Sequence, residues 1–197
     1  MKWFVIGLGN PGDEYKKTPH NVGREAVEYF IKKNGDAKAW KAQTQVKMQT
    51  QQVAIDSHSV VCVLPDTFMN KSGAAVQYFV KTAKDAERTI VLQDDLDLPL
   101  GTMKIVFNRG SGGHKGIESV VRAIKTEAFV RIRIGVSPVS AKGMAKKPKG
   151  EDAVVKFILK PLKDDSYKEI QKIYKKIADA IPVLITEGRP IAMTQFN

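Results

Sequence analysis

Short, mainly apolar runs alternate along this chain with longer segments of helical periodicity, and this alternation most constrains the fold. The apolar runs at residues 2–8, 59–64, 89–92 and 130–136 have the length of strands and are too short to be helices. Strands that alternate with amphipathic helices are typical of a sheet with helices packed on its faces. We therefore predict an α/β fold: a single domain over residues 1–197, with a mixed, largely parallel sheet flanked by helices.

The hydrophobic pattern also predicts the individual elements. Strands are expected at residues 2–8, 45–55, 59–64, 89–92, 103–107 and 130–136, and helices at about 21–34, 117–124 and 164–185. A further helix should begin at Ser72, a residue type favoured at N-caps, and carry Val76, Phe79, Val80 and Ala83 on one face.

The charge balance is unusual, because 32 Lys and Arg residues against 21 Asp and Glu residues give a net charge of +11. Such an excess favours a polyanionic partner such as nucleic acid, although solubility alone also explains part of it. The composition shifts at residues 137–150, where lysines occur without acidic residues among Gly and Pro. We interpret this stretch as a flexible basic loop that can reach a phosphate backbone, and not as a domain boundary.

Several protein classes are excluded at this stage. The single cysteine, Cys62, cannot form an intrachain disulfide and lies in an apolar run, which predicts a buried, inert thiol. No apolar stretch approaches the ~20 residues of a membrane helix. Residues 3–8 are too short for a signal peptide. We therefore expect a cytoplasmic protein with no membrane partner.

The sequence GLGNPG at residues 7–12 follows the first predicted strand and matches the G-x-G-x-x-G pattern of dinucleotide-binding proteins. In those proteins the third glycine opens a helix, but here helical periodicity begins only after Pro19. No second strand ends in an acidic residue about 20 residues later. A nucleotide-dependent oxidoreductase is thus disfavoured, and we interpret the segment as a tight turn that presents Asn10.

Two of the three histidines lie at predicted helix starts. With Thr18 as the cap and Pro19 in the first helical position, His20 would lie at the positive end of the helix dipole. That position favours the neutral imidazole that a general base requires, while a purely structural role in capping is the alternative. His114, in the glycine-rich loop at residues 112–116, is placed either for an anion site or for a plain turn.

Three aspartates, Asp94, Asp95 and Asp97, come directly after a buried strand, where open α/β sheets place their sites. A metal site is the competing interpretation, but no histidine or cysteine pair has ligand spacing. We expect one of these aspartates to orient His20.

No serine or cysteine stands where a nucleophile is expected, so a histidine would activate water directly. General-base assistance is worth about 10²–10⁴ in rate. That range is sufficient for a labile ester on a polyanionic substrate, and far too small for a peptide bond.

A set of motifs in order resembles the bacterial-type peptidyl-tRNA hydrolases along the whole chain. The motifs are VIGLGNPG (5–12), TPHNVG (18–23), TFMNKSG (67–73), DDLDLP (94–99), GGHKG (112–116), RIRIG (131–135) and MTQFN (193–197). The resemblance implies hydrolysis of the ester bond between peptide and tRNA, without cofactor or metal, by a monomer that needs no protein partner.

The resemblance also implies roles for individual residues. His20 would be the base that activates water, Asp94 would support it, and Asn10 would distinguish N-blocked from free aminoacyl-tRNA. Asn70 would hold the substrate, and the aromatic rings of Tyr15 and Phe68 would contact the tRNA end. Lys104, Arg131 and Arg133 are candidate phosphate contacts.

Lys115 departs from the pattern, because many members have asparagine at this position, so no role is transferred to it. A non-catalytic RNA-binding protein on the same scaffold, like the plant organelle splicing relatives, is the alternative function. The presence of Asn10, His20, Asn70 and Asp94 argues against this alternative, because RNA binding alone does not need them.

Overall fold

The structure is a computed structural model that describes residues 1–35, 39–140 and 143–197. The strands are β1 (Lys2–Gly7), β2 (Lys41–Gln43), β3 (Met48–Ile55), β4 (His58–Pro65), β5 (Thr89–Pro99), β6 (Met103–Phe107) and β7 (Val130–Ser137). The helices are α1 (Val22–Asn34), α2 (Gly73–Phe79), α3 (Ala83–Glu87), α4 (Lys115–Ile124), α5 (Glu151–Ile158), α6 (Asp164–Thr186) and α7 (Arg189–Phe196). Short 3-10 turns lie at Asp13–Tyr15, Pro19–Asn21, Thr44–Val46 and Met69–Lys71.

The strands form one mixed sheet in the order β2-β3-β4-β1-β5-β7-β6. The four central strands, β4, β1, β5 and β7, run parallel, while β2, β3 and β6 are antiparallel to their neighbours. The predicted α/β fold with a largely parallel sheet between helices is confirmed. No helix within the described ranges is long and apolar enough to cross a membrane.

Helices cover both faces of the sheet, and this explains why β1 reads as a continuous apolar run. Val5 packs in one core with α1, α6 and α7, whereas Phe4 and Ile6 pack in the other core with α2 and α4. A strand whose alternate side chains enter two different cores must be apolar at every position. Cys62 is buried in the first of these cores, as predicted.

The prediction of one helix from Ser72 to Ala83 is wrong. α2 ends at Phe79, and Thr82 begins α3 with a capping box in which its hydroxyl accepts from the Asp85 N–H. Ala83 is therefore exposed, and the Ser72 side chain makes no capping hydrogen bond. Two reciprocal side-chain bonds at Thr82 satisfy the first N–H groups of a new helix, so a second helix begins there.

The strand predicted at residues 45–55 begins only at Met48, because Lys47 adopts a left-handed conformation with a φ of 48°. In the predicted basic loop at 137–150, Val139 forms an antiparallel bridge with Ala145, and residues 141 and 142 lie outside the described residues. β2, α5 and α7 were not predicted from the sequence.

α1 approaches the sheet closely because Gly23 has no side chain. A Cβ at this position would collide with the carbonyl oxygen of Leu92 on β5. The Arg24 N–H then bonds the Leu8 carbonyl, while the Leu8 N–H bonds the Leu92 carbonyl. These contacts bring the turn after β1, the start of α1 and the polar end of β5 to one place.

Candidate active site

Asp94 lies where β5 leaves the hydrophobic core, and it holds two histidine rings. Its Oδ1 atom is 3.0 Å from Nδ1 of His20 and 2.9 Å from Nε2 of His114. The Asp94 side chain is 4% exposed, and the two imidazole side chains are 9% and 8% exposed. Asp94 is thus the member of the aspartate cluster that contacts His20.

The hydrogen bonds at the start of α4 fix the protonation of His114. Its Nδ1 accepts from the backbone N–H groups of Gly116 and Ile117, at 3.1 and 3.3 Å. The ring proton is therefore on Nε2, which donates to Asp94. Because His114 caps the helix itself, two of the first N–H groups of α4 are already occupied, which favours the plain turn over an anion site.

The same reasoning assigns the protons of His20. An ionised carboxylate only accepts, so Nδ1 of His20 donates to Asp94. In the neutral ring, Nε2 of His20 then carries the lone pair, and Nε2 has no hydrogen-bond partner among residues 1–35, 39–140 and 143–197. This is the arrangement of an imidazole ready to accept a proton.

The electrostatics of the pair follow from burial and charge. Burial raises the pKa of Asp94, but the two imidazoles and their hydrogen bonds lower it more, so the pKa lies far below the usual carboxylate range. Burial lowers the pKa of His20, but the charge of Asp94 and its hydrogen bond outweigh burial and raise this pKa above the ordinary value.

This result corrects the expectation that a helix dipole keeps His20 neutral. The Thr18 hydroxyl donates to the Tyr15 carbonyl and does not cap a helix, and His20 lies in a 3-10 turn before α1. The negative charge of Asp94 dominates the surroundings of His20, because it is in direct contact with the ring.

Asn10 is held rigidly by its neighbours. The Asn21 side chain accepts from the Asn10 N–H at 2.8 Å and donates to the Asn10 carbonyl at 2.9 Å. The Asn10 side-chain oxygen accepts from the Met69 N–H at 2.9 Å. Its amide nitrogen has no partner in the part of the chain that the structure describes, so Asn10 offers two N–H donors beside an oxygen that already accepts one bond.

The loop after β4 carries the other predicted substrate residues. Phe68 is 58% exposed, and its ring packs edge-on against that of Tyr15 with 6.5 Å between the centroids. Asn70 is exposed on the 3-10 turn that begins at Met69, the residue that contacts Asn10. The hydrogen bonds of the described residues do not join Asn70 to His20 or Asp94.

A cavity of about 740 Å³ opens beside the histidines, with His20, Asp94 and His114 in its wall. Five basic residues line it, Arg109, Lys115, Arg131, Arg133 and Lys147, together with acidic residues that include Asp95, Asp97 and Glu151. α5, which the sequence did not predict, forms the apolar wall with Val154, Val155 and Ile158.

The cations around this cavity differ in how far they are neutralised. Arg131 is 4% exposed and donates to the Gly110 carbonyl, and burial lowers its pKa. Arg133 forms an ion pair with Asp95. Lys147, from the basic loop, pairs with Asp97. The remaining candidate phosphate contact, Lys104, is exposed on the edge strand β6 and is not among the residues that line the cavity.

Lys115 is exposed at the first position of α4, and its ammonium lies 4.0 Å from the Glu118 carboxylate. It also lines the cavity, where it places a positive charge.

His20, Asp94 and His114 are also close enough to hold a metal ion, since their ligand atoms lie within 4.8 Å of one another. The proton positions oppose that use. A metal between these groups would have to displace both N–H bonds to Asp94, and His114 would lose its only ring proton while Nδ1 still caps α4. The donor set therefore fits a hydrogen-bonded triad better than a metal centre.

The sequence model of the peptidyl-tRNA hydrolase family matches residues 4–197 of this chain. The chain belongs to the peptidyl-tRNA hydrolase family. Its relatives include the peptidyl-tRNA hydrolase of Aquifex aeolicus, 38% identical over 98% of this chain and 95% of the relative. The peptidyl-tRNA hydrolase of Bdellovibrio bacteriovorus is 35% identical, with 99% of each chain covered.

The fold comparison agrees with the family assignment. The crystal structure of the peptidyl-tRNA hydrolase from Acinetobacter baumannii superposes with a TM-score of 0.85 at 28% identity, covering 98% of this chain and 93% of that one. The chain is thus an enzyme, a peptidyl-tRNA hydrolase that serves translation. The alternative of a non-catalytic RNA-binding protein is not supported.

Sequence reasoning missed two members of this site. His114 was assigned to an anion site or a turn, because nothing in GGHKG reveals that its Nε2 reaches Asp94. Asn21 received no role, although its position beside His20 was the one available signal.

Proposed function

We propose that this enzyme cleaves the ester bond of peptidyl-tRNA with a water molecule activated by Nε2 of His20. The observation that carries the proposal is the buried contact between His20 and Asp94, which leaves Nε2 as the free base. As water attacks the ester carbonyl, its proton passes to Nε2 and the imidazole becomes positive. Asp94 then stabilises that charge at 3.0 Å. The tetrahedral intermediate breaks its bond to the ribose oxygen of the tRNA, which takes the proton back from Nε2 and leaves as a hydroxyl.

His114 acts on the same carboxylate in our proposal. Its Nε2–H bond occupies Oδ1 of Asp94 together with His20 and ties the carboxylate to the start of α4. Asp94 is thus fixed from two sides, and its orientation toward His20 does not have to be set anew at each turnover.

Asn10 discriminates N-blocked substrates in this mechanism. One lone pair of its oxygen accepts from the Met69 N–H, and this bond fixes the amide with its NH₂ group available to a substrate. That group can donate to a peptide carbonyl. A free α-ammonium carries only donors, so it cannot pair with the NH₂ group and must still be desolvated.

The tRNA end contacts the exposed pair of Tyr15 and Phe68, on which an unpaired base can stack, while Asn70 holds the substrate nearby. The protein acts as a monomer in the cytoplasm, without a cofactor or metal.

The decisive experiment measures release of N-acetyl-amino acid from N-acetyl-aminoacyl-tRNA, with a chelator present throughout. Wild type is compared with His20→Ala and with the matched control His58→Ala, a substitution in the β3–β4 hairpin. We expect His20→Ala to lose turnover and keep its tRNA affinity, while His58→Ala resembles wild type. Turnover that persists in His20→Ala would contradict the role of the base, and turnover that stops on chelation alone would indicate a metal.

A further inference from the structure

A second polar cluster lies outside the active site, between α1 and α6. The Glu25 carboxylate accepts from the Tyr167 hydroxyl at 2.7 Å and from the Tyr174 hydroxyl at 3.0 Å, both at Oε2. Its other oxygen accepts from the Lys17 backbone N–H at 2.7 Å. One carboxylate on α1 thus joins two turns of α6 to the loop that precedes His20.

The Lys17 peptide is held from both sides in an uncommon conformation. Its φ is 59°, in the left-handed region that non-glycine residues seldom adopt. The N–H is bound by Glu25, and the carbonyl accepts from the Leu162 N–H at 2.9 Å, just before α6 begins. The Lys17 ammonium also lies 5.3 Å from the centre of the Tyr167 ring.

Through Thr18, the Lys17 peptide is connected directly to the 3-10 turn Pro19–Asn21, which carries His20. Thr18 is fully buried, bonds back to the Tyr15 carbonyl through both its N–H and its hydroxyl, and accepts the Asn21 N–H. His20 therefore lies in a short, internally bonded segment whose exposed corner is Lys17. A displacement of Lys17 would be transmitted to Tyr15 on one side and to His20 on the other.

We propose that Glu25, Tyr167 and Tyr174 are positioning residues that hold the Lys17 peptide and thereby set His20 against Asp94. The inference rests on the proposed role of His20 as the base. It assigns to α6, far along the chain from the catalytic residues, the task of fixing the loop that carries them.

The chemistry of the cluster suits a rigid support. Burial and then the Glu25 carboxylate raise the pKa values of Tyr167 and Tyr174, so both hydroxyls remain protonated donors. Hydrogen bonds to an ionised acceptor are shorter and about twice as strong as neutral ones. Three such donors on one carboxylate restrain the loop more firmly than exposed ion pairs on α6 could, such as Lys172–Glu169.

The test compares Tyr167→Phe, Tyr174→Phe and the double variant with wild type. Tyr29→Phe is the matched control: its ring lies 6.2 Å from that of Tyr174, and its hydroxyl bonds to none of the described residues. Steady-state kinetics on N-acetyl-aminoacyl-tRNA give kcat and KM, each measured well below the melting temperature of every variant. NMR of ¹⁵N-histidine-labelled protein reports the Nδ1–H resonance of His20.

We expect the double variant to lose about 10- to 100-fold in kcat, because misplacement of a catalytic group by about 1 Å costs that much. KM should change far less, and the Nδ1–H signal of His20 should shift or broaden as its bond to Asp94 loosens. Tyr29→Phe should match wild type in kcat and in the resonance. The proposal would be overturned if the double variant had a lower melting temperature but an unchanged kcat and an unchanged His20 resonance. The cluster would then stabilise the fold without positioning His20.

The variant Lys17→Gly tests whether the backbone of Lys17 or its side chain is responsible for the effect. Glycine keeps both backbone hydrogen bonds and tolerates a positive φ, so kcat should be retained. A loss as large as that of Tyr167→Phe would overturn the proposal in favour of a direct role for the ammonium. His20→Ala is measured in the same series so that the role of His20 and the role of the positioning residues are tested separately. Turnover in His20→Ala would refute the role of His20 as the base, whatever the results for the tyrosine variants.

Discussion

Replacing Asp94 by asparagine tests the electrostatic core of the mechanism. The amide has the size of the carboxylate, and its oxygen can still accept the bonds from His20 and His114 at 3.0 and 2.9 Å, so mainly the charge is lost. A unit charge about 4 Å from an imidazolium contributes about 4 kcal/mol at an effective dielectric constant near 20. A hydrogen bond to a charged group contributes about 1.5–3 kcal/mol.

A loss of about 2–4 kcal/mol in the transition state corresponds to a fall in kcat of about 30- to 1,000-fold. The pH profile should change as well. Asp94 raises the pKa of His20, and activity needs the neutral ring, so the wild-type rate increases as the pH rises through that raised pKa. In Asp94→Asn only the effect of burial on His20 remains, and burial lowers the pKa of His20. The acidic limb of the pH–rate profile should therefore move to lower pH.

The assay is kcat/KM and kcat against pH on N-acetyl-aminoacyl-tRNA, with Asp179→Asn as the matched control on the outer face of α6, where Asp179 pairs with Lys33. The control should superpose on wild type. If Asp94→Asn retained its kcat within about threefold, or if its acidic limb moved to higher pH, the assigned role of Asp94 would be refuted.

Four further outcomes are expected. Asn10→Asp, which keeps an acceptor for Met69 but replaces the free donors by a carboxylate oxygen, should narrow the preference for N-blocked over free aminoacyl-tRNA, measured as a ratio of kcat/KM values. Phe68→Ala should raise KM by about 5- to 150-fold, since stacking contributes about 1–3 kcal/mol per base, with kcat little changed. Gly23→Ala should destabilise the fold by about 1–3 kcal/mol in urea titrations, because its Cβ meets Leu92. Affinity for tRNA should fall as the salt concentration rises, with a slope of about 0.7–0.9 per neutralised phosphate in a plot of log affinity against log salt concentration. A flat response would mean that the net charge of +11 does not contribute to substrate binding.

The architecture could be predicted from the sequence because its strands are buried on both faces. β1 and β4 carry continuous apolar runs, at residues 3–8 and 60–64, and strands of that kind belong in the middle of a parallel sheet. α5 gave no such signal, since none of its residues is fully buried and it follows a lysine-rich stretch. The break between α2 and α3 depends on Thr82 and Asp85, whose capping box competes with a hydrophobic pattern that runs on through Val80.

The candidate site was predictable only in part for a related reason. Asn10, His20 and Asp94 stand in motifs, so their residue types and order identify them. The role of His114 depends on a contact across 20 residues, and that of Glu25 on contacts across 142 and 149 residues. Long-range hydrogen bonds of this kind leave no periodicity, and single residues such as Tyr167 and Tyr174 read as ordinary helix positions.

The strand order dictates when a growing chain can become active. β1 is synthesised early, but its neighbours in the sheet, β4 and β5, are synthesised later, between His58 and Pro99. β1 therefore cannot pair with its native neighbours until these strands have left the ribosome. Asp94 comes with the second of these strands, and His114 later still. A nascent copy of this enzyme of translation therefore carries the histidine of its active site long before it can use it, and it stays inactive while most of its own synthesis proceeds.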